Sequence, residues 1–210
     1  MPEINITQVG TQITGCQACV SAGHIEIARP VFRGVAKRSW MIVGQAPAAF
    51  GHERPAYAGP AGLKLRSWLT AAGLEGDDPL EENFYLTSVT KCFPGPGIGG
   101  KGDRMPSRAE VLLCAPHLER EIQLVRPEVV VTLGKLAANA LIGPGSLSDL
   151  VGTVRNSSYA GHAFTAIPFP HPSGVSRWLN GEPGRSCLER AIERLAEVRA
   201  VNPPGRAGRV

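Results

Sequence analysis

Four short segments rich in β-branched and aromatic residues recur along the chain, and stretches with helical spacing of apolar residues separate them. The strand-like segments are residues 39–44, 83–90, 128–133 and 163–169, and the helix-like ones are residues 62–72, 107–125, 135–142 and 186–198. Strands that alternate with helices favour parallel pairing, because each crossover helix must pack on the sheet. We therefore predict an α/β fold with a central four-stranded, mostly parallel sheet and helices on both faces.

The length and composition fit a single globular domain. The chain has 210 residues, 43% of them hydrophobic and 19% charged, which is enough for a sizeable core. We expect one domain over residues 1–201, followed by a short basic tail over residues 202–210. No apolar run reaches the length of a membrane helix, and the start MPEINITQVG lacks the basic and apolar regions of an export signal. We therefore expect a soluble, cytoplasmic protein, and a monomer.

A polar motif follows each predicted strand. These motifs are GQAP at residues 44–47, KC at 91–92, GK at 134–135 and HPS at 171–173. In open parallel sheets, ligands bind outside the carboxyl ends of the strands. The sequence therefore predicts that these motifs form one site. The glycine-rich stretch over residues 94–106 is expected to be an exposed loop.

The five cysteines raise the question of a metal site, because the expected cytoplasmic location does not favour disulfides. Cys16 and Cys19 form a C-x2-C pair, while Cys92 and Cys114 lie far downstream with 21 residues between them. From the spacing alone, these four thiols suit zinc and an iron–sulfur cluster equally, and unligated core cysteines are a third alternative. Cys187 stands alone in a predicted helix, which is typical of a small buried side chain.

Five motifs, taken in order, resemble those of one known family. They are GQAP with YAGPAG at residues 44–47 and 57–62, TSVTKC at 87–92, CAPHL at 114–118, PEVVVTLG at 127–134 and HPSG at 171–174. Over almost its whole length the chain is similar to the family 4 uracil-DNA glycosylases, the iron–sulfur branch of the uracil-DNA glycosylase superfamily.

This resemblance implies a DNA repair enzyme. Such an enzyme flips uracil out of single- or double-stranded DNA and hydrolyses its N-glycosidic bond, leaving an abasic site and free uracil. The resemblance also implies that Cys16, Cys19, Cys92 and Cys114 bind one [4Fe-4S] cluster, which would anchor two chain segments near the DNA-binding face.

The resemblance assigns roles around the base. His171 is expected to donate a hydrogen bond to uracil O2 as negative charge develops there. Tyr57 is expected to stack on the flipped base, and its alternative role is core packing. Gln45 and Ala46 are expected to face the uracil edge, unless they form a plain strand-to-helix turn. Ser88 occupies the position of the asparagine that reads that edge in the family.

The residues after His171 are expected to reach the DNA. The resemblance gives Val175 as the wedge that fills the space left by the flipped base, and Ser173 and Ser176 as phosphate contacts. Arg177 and Lys91 would add positive charge. An ordinary surface loop is the alternative.

The first motif departs from the family at the carboxylate that activates water. The family's common glutamate is Gln45 here, and the aspartate of the best-known branch of the superfamily is Ala46. Glu53, with His52 second, is predicted to orient the water, because these two are the titratable pair of the same loop. Solvent-facing loop charges are the alternative. At the level of function, the main rival is a protein that binds uracil or abasic DNA without turnover, and an iron–sulfur electron carrier is another.

Overall fold

The computed structural model describes residues 5–34, 39–100, 102–174 and 177–205. It contains one mostly parallel sheet of five strands, in the order β2-β1-β3-β5-β4. The strands are β1 Trp40–Gly44, β2 Tyr85–Ser88, β3 Val129–Leu133, β4 Arg155–Tyr159 and β5 His162–Phe169. The predicted α/β class and the four predicted strands are confirmed, and β4 is an addition to them.

The strand β4 pairs with β5 in the antiparallel direction, at the edge of the sheet. Ala160 and Gly161 connect the two strands, and both have positive φ, at 49° and 76°. Such two-residue turns match the twist of an antiparallel hairpin. The sequence of β4, RNSSY, is polar and mostly exposed, so it lacked the apolar pattern on which the other strands were predicted.

Helices cover both faces of the sheet. They are α1 Ile6–Thr14, α2 Ala18–Ser21, α3 Pro60–Ala71, α4 Pro79–Asn83, α5 Arg108–Val125, α6 Gly134–Leu141, α7 Leu147–Leu150 and α8 Gly184–Val201, with 3-10 turns at Ile98–Gly100 and Arg177–Asn180. The four predicted helices correspond to α3, α5, α6 and α8. No helix in the described residues has the length and apolarity needed to cross a membrane. Residues 206–210 of the predicted basic tail lie outside the described residues.

The core has two layers, one on each face of the sheet. Side chains alternate between the faces of a strand, so Trp40 and Ile42 of β1 pack in the layer of α3 and α8, while Met41 and Val43 pack in the layer of α5 and α6. All five residues of β1 and all five of β3 are buried. This two-sided burial explains their nearly uninterrupted apolar sequences.

Candidate active site and cysteine pocket

The carboxyl ends of the parallel strands gather the predicted motifs at one edge of the sheet. Backbone bonds join the first two motifs there: the Val89 amide donates to the Gly44 carbonyl at 2.9 Å, and the Thr90 amide donates to the Gln45 carbonyl at 3.2 Å. The strands β1, β2, β3 and β5 run in the same direction and therefore end at this edge. We call it the carboxyl edge.

His171 follows β5 at the carboxyl edge, and its contacts define which nitrogen carries the proton. The Ser173 amide donates to His171 Nδ1 at 3.2 Å. Burial lowers the pKa of His171, and the nearby carboxylate of Asp103 partly opposes this shift. A neutral imidazole whose Nδ1 accepts a hydrogen bond carries its proton on Nε2. His171 therefore presents an N–H donor at Nε2.

Gly134 fits closely against this histidine. It begins α6 with φ of +84°, and a Cβ placed there would lie 3.2 Å from His171 Cβ. Both the left-handed backbone and the tight approach favour glycine at this position. Gly134, which directly follows β3, therefore helps to set the position of His171.

Tyr57 reaches the carboxyl edge from the loop before α3. It has a left-handed backbone, with φ of 54°, and the Arg66 guanidinium fixes it by donating to its carbonyl at 3.0 Å. A Cβ on Gly44 would lie 2.7 Å from the Tyr57 hydroxyl oxygen, so the missing side chain at Gly44 makes room for the phenol. Burial raises the pKa of Tyr57, which keeps the hydroxyl neutral. The ring also packs on the core layer of α3, as its alternative role predicts.

The other residues predicted at the uracil edge are held by contacts within the protein. The Gln45 side-chain amide donates to the Arg104 carbonyl at a long 3.5 Å, and the Ser88 hydroxyl donates to the Thr90 carbonyl at 2.8 Å. Ala46 is half-buried beside Gln45. Ser88 and Gln45 would have to exchange these partners, or share them, in order to contact a base.

The loop with the predicted water-activating pair is organised at the surface. His52 Nε2 lies 3.0 Å from Glu53 Oε1, and the Glu53 side chain is 60% exposed. The Arg33 guanidinium supports this loop by donating to the Gly51 carbonyl at 2.6 Å and to the carbonyl of Arg54. The two predicted residues therefore pair with each other.

The residues predicted to contact DNA have different placements. Ser173 is half-buried next to His171, and Arg177 is exposed at the start of a 3-10 turn. Val175 and Ser176 lie outside the described residues.

The predicted DNA contact by Lys91 is wrong, because Lys91 lies in the protein interior. Its side chain is 1% exposed, and its ammonium forms an ion pair with Glu121. It also donates to the Thr87 hydroxyl at 2.6 Å and to the Ser88 carbonyl at 2.7 Å. The Tyr85 hydroxyl donates to the other Glu121 oxygen at 2.9 Å. A buried charge with this many partners is a structural ion pair.

Four of the five cysteines line a common pocket. Cys16 and Cys19 come from the turn before α2 and from α2 itself, Cys92 follows β2, and Cys114 lies in α5. In the described residues, no three His, Cys, Asp or Glu side chains form a ready-made site for a single metal ion. Cys187 is elsewhere, in the core layer of α3 and α8. The structure thus brings together the four cysteines that the sequence grouped.

The chemistry of this pocket suits a positively charged centre. Burial, together with the neighbouring thiols, raises the pKa of Cys92 and of Cys114 to about 11. The Lys91 amide donates to Cys114 Sγ at 3.2 Å, and this bond and the Lys91 charge act in the opposite direction. Four thiolates could share this pocket only if a bound cation compensated their charge. The donor set therefore fits a thiolate-bound metal group.

Comparison with known proteins places this arrangement in a family. A sequence model of the uracil DNA glycosylase superfamily matches residues 33–196. The chain belongs to the uracil DNA glycosylase superfamily. A type-4 uracil-DNA glycosylase of Saccharolobus solfataricus is 26% identical over 206 residues, which are 95% of this chain and 88% of the relative. A type-4 uracil-DNA glycosylase of Pyrobaculum aerophilum is 32% identical over 152 residues, 71% of each chain. A type-5 uracil-DNA glycosylase of that organism is 33% identical over 174 residues, 76% of this chain and 70% of the relative.

These matches confirm the resemblance that the motifs indicated, and the observed sheet is consistent with the fold of the uracil DNA glycosylase superfamily. Gly134, whose Cβ would lie close to His171, belongs to the predicted GK motif, although its contact with the histidine was not predicted, and Asp103 was not predicted at all. The signal for Gly134 was a glycine placed directly between a buried strand and a helix. Asp103 gave no clear signal, because it lies in a glycine-rich stretch that has no periodic pattern.

That stretch is an ordered hairpin. The Gly97 amide donates to the Gly102 carbonyl at 2.8 Å, the Arg104 amide donates to the Gly95 carbonyl at 3.0 Å, and Pro96 and Asp103 form an isolated bridge. We call residues 95–104 the glycine hairpin, of which residue 101 lies outside the described residues. The hairpin contacts the carboxyl edge where the Gln45 side chain donates to the Arg104 carbonyl.

Proposed function

We propose that this chain is a uracil-DNA glycosylase, which flips uracil out of single- or double-stranded DNA and hydrolyses its N-glycosidic bond. The products are an abasic site and free uracil. The observation that carries the proposal is the state of His171, which is a neutral imidazole with its proton on Nε2 at the carboxyl edge of a superfamily fold. The type-4 and type-5 relatives support the same activity.

The chemistry needs such a donor. When the bond from the sugar to uracil breaks, its electron pair leaves with the base, and negative charge collects on the uracil oxygens. A preorganised N–H donor stabilises that charge without having to reorient during the reaction. His171 Nε2 would donate to uracil O2, and the Ser173 amide holds the ring by its other nitrogen.

Binding of the flipped base would use the other residues of the carboxyl edge. Tyr57 would stack on the uracil ring, and the contacts of its backbone with Arg66 keep it in place. Gln45, Ala46 and Ser88 would face the polar edge of the base. Ser88 stands where the family has asparagine. Its single hydroxyl forms fewer hydrogen bonds than a side-chain amide, so it contributes less to discrimination between bases.

Binding of the DNA backbone would use the chain after His171. Ser173 and Ser176 would contact phosphates, Arg177 would add charge, and Val175 would fill the gap in the base stack. The contact of the Ser173 amide with His171 and the exposure of Arg177 support these roles. Uracil-containing DNA is thus the proposed partner.

We also propose that Cys16, Cys19, Cys92 and Cys114 hold a [4Fe-4S] cluster. The four thiols line one pocket, and the type-4 relatives cover most of the chain. The cluster would rigidly connect the N-terminal segment, the end of β2 and α5. These are elements that also shape the carboxyl edge.

The water-orienting step has Glu53 and His52 as its candidates from the sequence. Their test is single-turnover cleavage by Glu53→Gln and His52→Ala, with DNA binding measured separately. A loss of less than about threefold, or roughly 0.65 kcal/mol of barrier, would show that these charges only face solvent.

The proposed activity is tested with an oligonucleotide that contains one uracil, in single- and double-stranded form, under single-turnover conditions. We expect release of uracil, and strand breakage when alkali is added. The matched control is the same oligonucleotide with thymine, which should stay intact. Tight binding of the uracil strand without release over hours would contradict the proposal and support the non-turnover DNA-binding protein, a function that the missing carboxylate at Ala46 favours.

A further inference from the structure

The glycine hairpin is fixed to the body of the protein at several points. The Arg104 guanidinium forms two bonds of 2.7 Å to the Glu110 carboxylate, in the first turn of α5, and donates to the His24 carbonyl at 3.2 Å. Glu110 is buried and also caps α5 through Ser107. This anchorage holds Asp103, which directly precedes Arg104, in a defined place.

The hairpin is also tied to the first motif. The Gln45 side chain donates to the carbonyl of Arg104, so the loop that follows β1 touches the residue next to Asp103. Asp103 itself pairs with Pro96 across the hairpin. These contacts bring the hairpin to the first motif, where this chain has Gln45 and Ala46 in place of the carboxylates found in the superfamily.

Electrostatics agrees with the position that the hairpin contacts give to Asp103, which is itself exposed. The Asp103 carboxylate raises the pKa of His171 against the effect of burial, and His171 in turn lowers the pKa of Asp103 against the effect of desolvation. By contrast, the carboxylate of Glu53 already has His52 as its partner. Of these two acids, Asp103 is the one whose chain segment contacts the first motif, through the Arg104 carbonyl.

We propose that Asp103, held by the glycine hairpin next to the first motif, supplies the carboxylate that orients the attacking water and stabilises the positive charge on the sugar. This proposal rests on the proposed function and deepens it. The bond from C1′ to the uracil nitrogen breaks, and its electron pair leaves with uracil. The water oxygen forms the new bond to C1′, and the proton that the water loses passes to the Asp103 carboxylate and from there to solvent. Uracil takes up a proton from solvent after it leaves.

The first test is single-turnover cleavage by Asp103→Asn, which keeps the shape of the side chain and removes its charge. We expect a rate lower by roughly a hundredfold, the lower range for one positioned acid–base group. Glu53→Gln tests the competing assignment: a loss of rate in that variant, with Asp103→Asn unaffected, would make the proposal wrong. Asp77→Asn is the matched control, because Asp77 is an exposed acid in the connection between α3 and α4. If Asp103→Asn keeps its rate within about threefold of the unaltered protein, the proposal is wrong.

A second readout does not require turnover, so it separates this proposal from the proposed function. It compares the affinities for two DNA strands, one carrying a cationic pyrrolidine in place of the abasic sugar and one carrying neutral tetrahydrofuran. We expect the unaltered protein and Asp77→Asn to prefer the cationic strand by about tenfold, or roughly 1.4 kcal/mol. Asp103→Asn should lose the preference. An unaltered protein without the preference, or an Asp103→Asn variant that keeps it, would overturn the role of Asp103. Failure to release uracil would instead remove only the proposed function.

Discussion

The cysteine pocket and the surroundings of His171 respond to burial in opposite ways. In both places, burial disfavours the charged form of a side chain. At His171 this lowers the pKa and leaves the neutral ring that the proposed chemistry needs. In the cysteine pocket it raises the thiol pKa values and works against the thiolates that a metal group needs. Desolvation therefore favours the proposed role of His171, whereas in the cysteine pocket it means that four thiolates would need a bound cation.

The largest expected effect is loss of the metal group. Cys92→Ala or Cys114→Ala should abolish iron binding, because each removes one thiolate from a four-thiol pocket. The unaltered protein should contain about four iron and four sulfide ions per chain, measured by chemical analysis and by absorbance near 400 nm. Cys187→Ala is the control and should retain both. Stoichiometric zinc without sulfide would show that the pocket holds a different centre.

The next effect concerns Lys91, which lies between the two regions. Lys91→Met should lower the free energy of unfolding by about 3–5 kcal/mol, because it leaves the Glu121 charge buried without its ion partner. Denaturant unfolding measures this change. Lys135→Met replaces an exposed lysine and should change stability by less than about 0.5 kcal/mol. Equal effects of the two variants would mean that the buried pair contributes little.

Replacement of His171 is expected to have a smaller effect, on the activation barrier of cleavage. His171→Ala should slow single-turnover cleavage by roughly a hundredfold, about 2.7 kcal/mol of barrier, with a smaller change in DNA binding. His162→Ala is a control on the same strand, since His162 begins β5 at its opposite end and bonds to the Pro127 carbonyl. A His171→Ala variant with nearly full rate would show that another group stabilises the departing uracil.

The smallest effect separates backbone strain from contact with His171. Gly134→Ala should cost about 1–2 kcal/mol of stability, because alanine tolerates a left-handed backbone poorly. It should also slow cleavage, since its Cβ would press on His171. Gly161→Ala has a similar φ, +76°, with no atom near its new Cβ, so it should lose similar stability and keep its rate. Equal rates for the two variants would show that Gly134 does not position the histidine.

The parallel strands could be predicted because they are buried on both faces, and this burial requires apolar sequences such as that of β3. The edge strand β4 could not, since its pairing depends on the Ala160-Gly161 turn and not on an apolar pattern. At the site, the HPS motif predicted His171, and the C-x2-C pair with Cys92 and Cys114 predicted the pocket.

The prediction that Lys91 contacts DNA was wrong for a different reason. A lysine beside a cysteine at a strand end resembles a surface charge in the sequence, and its partner Glu121 lies far along the chain in α5. The position of Asp103 next to the first motif depends in the same way on the closure of the glycine hairpin. Contacts between distant segments decide both cases, and local sequence does not report them.

The two ends of Lys91 contact both the cysteine pocket and the carboxyl edge. The backbone amide of Lys91 holds Cys114 Sγ, while its ammonium holds the carbonyl of Ser88 at the proposed base-binding edge. If Cys114 binds the proposed metal group, Lys91 would connect that group to the strand end where uracil is proposed to be read.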